Sequence, residues 1–134
     1  MKENNELVSI KLAELARMKG FNDICDNGYC FDNDKQAYYI NYDPKYFQND
    51  KIWEKHYAAP TREQLHTWLR DRKIFITIEV DQTLEPKFCY SLSRFIETAE
   101  EGCSWTNHDP SGTALFYKYE QALDEALEEG LKLL

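Results

Sequence analysis

Nowhere does this chain stay apolar for anything near the ~18 residues that a bilayer-spanning helix needs. Its polar beginning, MKENNE, lacks the charged-then-apolar profile of a secretion signal. Both absences point to the cytosol and away from a membrane. Proline and glycine are scarce, at four and five residues, and no stretch rich in them divides the 134 residues. One domain spanning 1–134 is therefore expected, with 1–6 as a flexible tail. There is no glycine-rich phosphate loop and no internal repeat, and basic residues are outnumbered 16 to 24. The net charge of −8 repels a polyphosphate backbone unless cations gather on one face, so nucleic acid is a disfavoured partner. The four cysteines, Cys25, Cys30, Cys89 and Cys103, are expected to be reduced thiols, because a chain with its own core does not need staples.

What is present is the material of such a core. With 43% hydrophobic and 14% aromatic residues, the 30% that are charged belong on a surface rather than in a disordered chain. Leu7 to Gly20 reads as a helix capped by Ser9, with Val8, Leu12, Leu15 and Ala16 toward one face. Gly20 can take the left-handed conformation that ends a helix, and Phe21 can fold back onto the last turn. The strand candidate QAYYINY, Gln36 to Tyr42, can pair with Tyr29 to Asp32 across Asn33 and Asp34, and Asp43-Pro44 closes it. A short helical turn is expected near Tyr46 or Trp53.

The most strongly patterned stretch is AAPTREQLHTWLRDRKIFITIEVD. Thr61 and Gln64 have the spacing of a capping box, in which the threonine oxygen takes a backbone donor and the glutamine reaches back to the cap. Leu65, Trp68 and Leu69 then form a buried stripe. From Ile74 to Val80 the pattern alternates, with Ile74, Ile76, Ile78 and Val80 on one face. Lys87 to Leu92 alternates again and completes a hairpin with the preceding strand. After a polar stretch carrying Asn107 to Pro110, Ala114 to Tyr117 is expected as a third strand. Tyr119, Ala122, Leu123, Ala126, Leu127, Leu131 and Leu134 mark a terminal helix. Gly130 lies on its apolar stripe, where it permits close packing. The expected fold class is α+β: a small, mostly antiparallel sheet with about three helices, the C-terminal helix packed on the sheet.

The pairing of YAAPTREQLHTWLRDRKIFITIEV with the closing YEQALDEALEEGLKLL resembles a family of small uncharacterised proteins from phages and prophages of gut Bacteroides-type bacteria. The resemblance covers the second half well and the first helix loosely, and it leaves out Cys25 to Trp53 and Cys103 to Gly112. It implies a phage-like origin in a bacterial host cytosol and transfers no activity, cofactor or site residue. Where such proteins often carry a capping Ser or Thr before the last helix, this chain has Lys118.

Four groups of residues bear on function. Cys25 and Cys30, with His56, His66, Cys89, Cys103 and His108, are the candidate soft-metal ligands. Four residues separate the first two cysteines and no second close pair follows, a poor match to structural zinc, so no metal is expected. Cys103 lies near Asn107, His108 and Asp109 in sequence, the ingredients of a thiol hydrolase, but also of an ordinary polar loop. Arg62, His66, Arg70 and Lys73 recur at helical spacing as a basic stripe that could meet an acidic partner or simply be a solvated face. Tyr38, Tyr39, Tyr42, Tyr46, Phe47, Trp53 and Tyr57 form the densest aromatic stretch, which either covers a sheet poor in aliphatic residues or presents rings to a partner. The preferred reading is a non-catalytic, cytosolic protein-interaction module. Its binding residues would be Tyr38, Tyr39, Tyr42, Trp53, Arg62, His66 and Arg70, and its partner a host protein or a second copy in a homodimer. The alternatives are a small metal- or thiol-dependent hydrolase and a binder of single-stranded nucleic acid. No cofactor is expected.

Overall fold

A computed structural model describes residues 6–41, 47–82, 86–98, 102–108 and 115–134, with the backbone alone at 81, 82, 86, 98, 103 and 108. Residues 1–5 of the expected tail (1–6), Tyr42, Tyr46 and residues 83–85, 99–101 and 109–114 lie outside these residues. In chain order the elements are α1 (Ile10–Met18), β1 (Gly28–Asp32), β2 (Ala37–Asn41), a 3-10 turn (Asn49–Lys51), β3 (Tyr57–Ala58), α2 (Arg62–Asp71), β4 (Ile74–Gln82), β5 (Pro86–Thr98), β6 (Gly102–His108) and α3 (Tyr119–Lys132). The class is α+β. The described residues contain three α-helices and two antiparallel three-stranded sheets, ordered β2-β1-β3 and β4-β5-β6. The chain divides into two compact units, residues 1–65 and 66–134, and the boundary falls inside α2. No helix among the described residues is long and apolar enough to cross a membrane.

In the first unit, α1 starts where Ser9 accepts a hydrogen bond from the Leu12 N–H at 3.2 Å. It stops at Gly20, whose φ of 94° is open to glycine at little cost. The Phe21 N–H reaches back to the Ala16 carbonyl at 2.9 Å and the Gly20 N–H to that of Arg17 at 3.1 Å, which together satisfy two end carbonyls. Phe21 is then buried, as expected from its place beyond the glycine. The β1–β2 hairpin pairs Gly28 with Asn41 through to Asp32 with Ala37. Its turn is held by the Asp32 carboxylate, which accepts from the Asp34 N–H at 2.9 Å. The short helical turn falls at Asn49–Lys51, between the two places named above.

One residue of this unit carried no sequence signal. Asn49 is buried, donates from Nδ2 to the Phe21 carbonyl at 2.7 Å and accepts at Oδ1 from the Ala58 N–H at 3.0 Å. It thereby ties the end of α1 to β3, using hydrogen bonds where the loops offer no ladder. Gly28 is equally specific: a Cβ there would lie 2.4 Å from the buried Phe47 ring.

α2 begins as expected at Thr61, whose Oγ1 accepts from the Gln64 N–H at 3.0 Å. The other half of the capping box does not close. Gln64 Nε2 donates instead to the Ile24 carbonyl at 3.0 Å, because a tertiary acceptor satisfies the amide without folding it back on its own helix.

In the second unit, Ile74 and Ile76 are buried, Ile78 is half-buried and Val80 is exposed, so the alternation of β4 marks a core at one end of the strand only. α3 packs on β4 and β5, burying Ala122, Leu123, Ala126, Leu127, Gly130 and Leu131. Each fully buried leucine contributes about 2 kcal/mol through surface removed from water. A Cβ at Gly130 would come within 3.1 Å of Leu69 Cδ1, so glycine does allow close approach here. The last turn of α3 is closed by Arg94, which donates to the Leu133 carbonyl at 2.9 Å. Its surface carries the Lys132 pairs with Glu128 and Glu129 at 3.8 and 3.3 Å.

The third strand is a correction. It is β6, in the stretch expected to be a polar loop, whereas Phe116 contributes a single bridge to Phe88 with both hydrogen bonds at 2.7 Å. Pairing with β5 supplies the order that β6 lacks in its own hydrophobic pattern.

Candidate functional site

The hairpin of the first unit concentrates aromatic side chains. Alternation along β1 and the register with β2 and β3 put Tyr29, Phe31, Tyr38 and Tyr57 on one face of that sheet. Tyr38 meets its cross-strand partner Phe31 edge-on, with centroids 5.0 Å apart, and stacks on Tyr57 at 5.8 Å and 25°. Such pairs contribute ~0.5–1.5 kcal/mol beyond burial and hold the rings in place. Beside them Trp53 meets His56 edge-on at 5.2 Å, and the Lys55 ammonium lies 5.2 Å from the Phe31 centroid and 5.5 Å from that of Trp53. Arg17 of α1 fixes the loop that carries them, donating to the Trp53 carbonyl at 3.0 Å and to the His56 carbonyl, with its guanidinium 5.9 Å from the Tyr57 ring.

These rings are supported yet reachable. Tyr38 is 38% exposed, Tyr39 51% and Trp53 45%. Neighbouring positions on a strand point to opposite faces, so Tyr38 belongs to the ring cluster and Tyr39 to the reverse side of β2. A depression of about 270 Å³ lined by Asp32, Lys35, Ala37, Tyr38 and Tyr39 lies at the end of the hairpin. That is smaller than the ~300–1,000 Å³ of ordinary small-molecule sites. Partial burial, followed by the hydrogen bond and charge of Tyr38, pushes the Tyr57 hydroxyl up to about 12, so it stays a neutral phenol.

Of the residues singled out above, the structure brings together Tyr38, Trp53 and the ring partner Tyr57, and places Tyr39 on the opposite face of the same strand. Tyr42 lies outside the described residues. The basic stripe is less coherent. Arg62 and His66 are half-buried and Arg70 is exposed, while Lys73 lies beyond the end of α2 with a left-handed φ of 66°. A sequence reading had no means of finding Lys55 or Arg17, because what matters about each is a ring or carbonyl distant in the chain.

The thiols are placed less favourably for chemistry. Cys25 and Cys30 are buried free thiols. Burial, then the charges of Asp23 and Asp26, push the Cys25 thiol up to about 12, with a hydrogen bond from Gln64 opposing them. A thiol so shifted holds almost no nucleophilic thiolate at neutral pH. Cys103 and His108 pair with Glu97 and Leu92 along one extended strand. Five residues at ~3.3 Å each separate their backbones by about 17 Å, so nearness in sequence does not become a dyad here. Among the described residues no three His, Cys, Asp or Glu side chains gather as a metal site. No protein-family model, curated protein or solved structure matches the chain.

Proposed function

We propose that this chain is a non-catalytic interaction protein that holds a protein partner on β2 and the rings behind it. The observation that carries this reading is the exposure of Tyr38 and Trp53 within a ring cluster that holds them in place, with Tyr39 exposed on the other face of the same strand. Rings already stacked lose little freedom when a partner covers them, which is why aromatic anchors dominate protein interfaces. Among the described strands, β2 is also the last of its sheet. An edge strand offers backbone donors and acceptors to an extended segment, with alternate side chains giving selectivity. The partner class that fits is a protein of the bacterial cytosol, in keeping with the phage-like origin that the sequence resemblance implies.

The test is capture of partners from a Bacteroides-type lysate by the tagged full chain, nuclease-treated, beside a Tyr38→Ala/Tyr39→Ala variant and an Arg70→Ala control, each verified as folded. The expected result is a stoichiometric, nuclease-resistant partner lost only in the tyrosine variant. Capture that survives in that variant would overturn the reading.

A further inference from the structure

The second sheet ends in a strand whose outer edge has three properties not seen together elsewhere among the described strands. The first is exposure: β6 presents Ser104, Trp105, Thr106 and Asn107 to solvent on both faces, Trp105 at 59%. The second is charge. In a chain of net charge −8, residues 102–108 contain no Asp, Glu, Lys or Arg, and none of the lysines, prolines or inward charges that usually protect an edge.

The third is the direction of the backbone. The Phe95 N–H donates to the Lys73 carbonyl at 2.9 Å, on the β4 side, and Phe88 exchanges both of its hydrogen bonds with Phe116 on the opposite side. Odd-numbered residues of β5 therefore bond toward β4, and even-numbered ones toward β6. Phe95↔Trp105 and Ser93↔Asn107 are thus the non-hydrogen-bonded pairs. Their close side chains agree: the Phe95 and Trp105 rings are 5.1 Å apart, and Ser93 Oγ lies 3.0 Å from Asn107 Oδ1. It follows that the N–H and C=O groups of Cys103, Trp105 and Asn107 point away from β5, along an edge that has no strand partner among the described residues.

We propose that β6 pairs antiparallel with β6 of a second copy, about a two-fold axis through Trp105, which joins two three-stranded sheets into one of six strands. Trp105 is the central residue of the strand. The register sets Trp105 against Trp105 of the other copy and Cys103 against its Asn107, so all three outward-facing residues fall in hydrogen-bonded pairs and Ser104 lies opposite Thr106. Phe75, Phe95 and Trp105 already form a ring cluster on one face, with Phe75 and Trp105 at 5.4 Å, and the second copy continues it across the axis. The uncharged edge is where two acidic copies can approach. Acidic residues flank it in the sequence at Glu101 and Asp109, so association tightens as salt rises. A two-fold contact closes on itself and does not propagate. This pairing is independent of the tyrosine surface on the first unit.

The decisive experiment measures the mass of the full chain by light scattering up to ~200 µM, a range that captures an interface at the small end of the usual areas. The expected mass doubles from 15.9 kDa with concentration, and does so at lower concentration in high salt. Asn107→Pro removes an outward donor that β5 does not use, and Trp105→Lys sets two like charges across the axis. Each should return the mass to one chain while amide protection in β4 and β5 persists. In a Cys103→Ser background, Trp105→Cys should join two copies through a short bifunctional thiol reagent, because directly paired residues have Cα atoms ~5.5 Å apart. A wild-type chain that stays monomeric, a folded Trp105→Lys variant that still dimerises, or a dimer in which Trp105→Cys does not cross-link would overturn the proposal.

Discussion

In residues 66–134 the buried side chains of α3 can be found by counting along the chain, from Ala122 and Leu123 to Ala126, Leu127 and Leu131. In residues 1–65 an asparagine closes the loops, and no periodicity marks Asn49. The first region uses single polar groups and one close backbone approach to organise short strands and loops. The second uses a long hairpin and an amphipathic helix whose many similar contacts share the load. Damage to the first should therefore be concentrated at a few positions, and damage to the second graded with the volume removed.

The largest expected effect is Asn49→Ala. It leaves the Phe21 carbonyl and the Ala58 N–H without their partner in a buried place, a loss of about 4 kcal/mol at 1–3 for each group. Urea denaturation gives the total, and hydrogen exchange should show the loss first around β3. Leu127→Ala should cost about 3 kcal/mol through lost burial and a residual cavity. If it proved more damaging than Asn49→Ala, the contrast between the units would fail. Gly28→Ala drives a methyl group into the Phe47 ring and should cost about 2 kcal/mol, measurable as a lower denaturation midpoint.

Alkali should also separate the regions. Cys25 and Tyr57, both in the first unit, are raised from ordinary values of 9.0 and 10.0 to about 12. The folded state then holds protons that the unfolded chain releases, so their contribution is complete below pH 9 and is lost as pH rises toward 12. Exchange rates in β1 and β3 measured from pH 8 upward, corrected for intrinsic exchange, should report this loss, and Cys25→Ser should reduce its slope. The smallest effect is that of Gly130→Ala. Better helix propensity, worth up to ~1 kcal/mol, is set against crowding of Leu69, and the thermal midpoint should move by only a few degrees.

Legibility in the sequence followed local chemistry. Ser9, Gly20 with Phe21, and Thr61 each act on a backbone group within five residues, so the helix ends they set were readable. The β1–β2 and β4–β5 hairpins were readable from alternation and turn residues. β6 was not, because a strand exposed on both faces has no reason to alternate. The far half of the Gln64 side chain was missed for a different reason: its acceptor, the Ile24 carbonyl, is 40 residues away. The candidate site was half legible. Dense tyrosines drew attention to β2, but the stacking of Tyr38 on Tyr57 and the position of Lys55 between two rings depend on the register of a third strand.

The boundary inside α2 limits how this protein can be dissected. A fragment ending at Leu65 would keep only Arg62 to Leu65 of the helix, one turn, which does not persist alone in water. It would also leave Leu65, fully buried in the intact chain, at a fraying end. The complementary fragment would begin without Thr61, the residue that starts the helix. Gene truncation, domain exchange or fusion at the midpoint would thus damage both halves at once, whereas insertions are better tolerated at a surface turn such as Asn33–Asp34, whose neighbouring side chains are exposed.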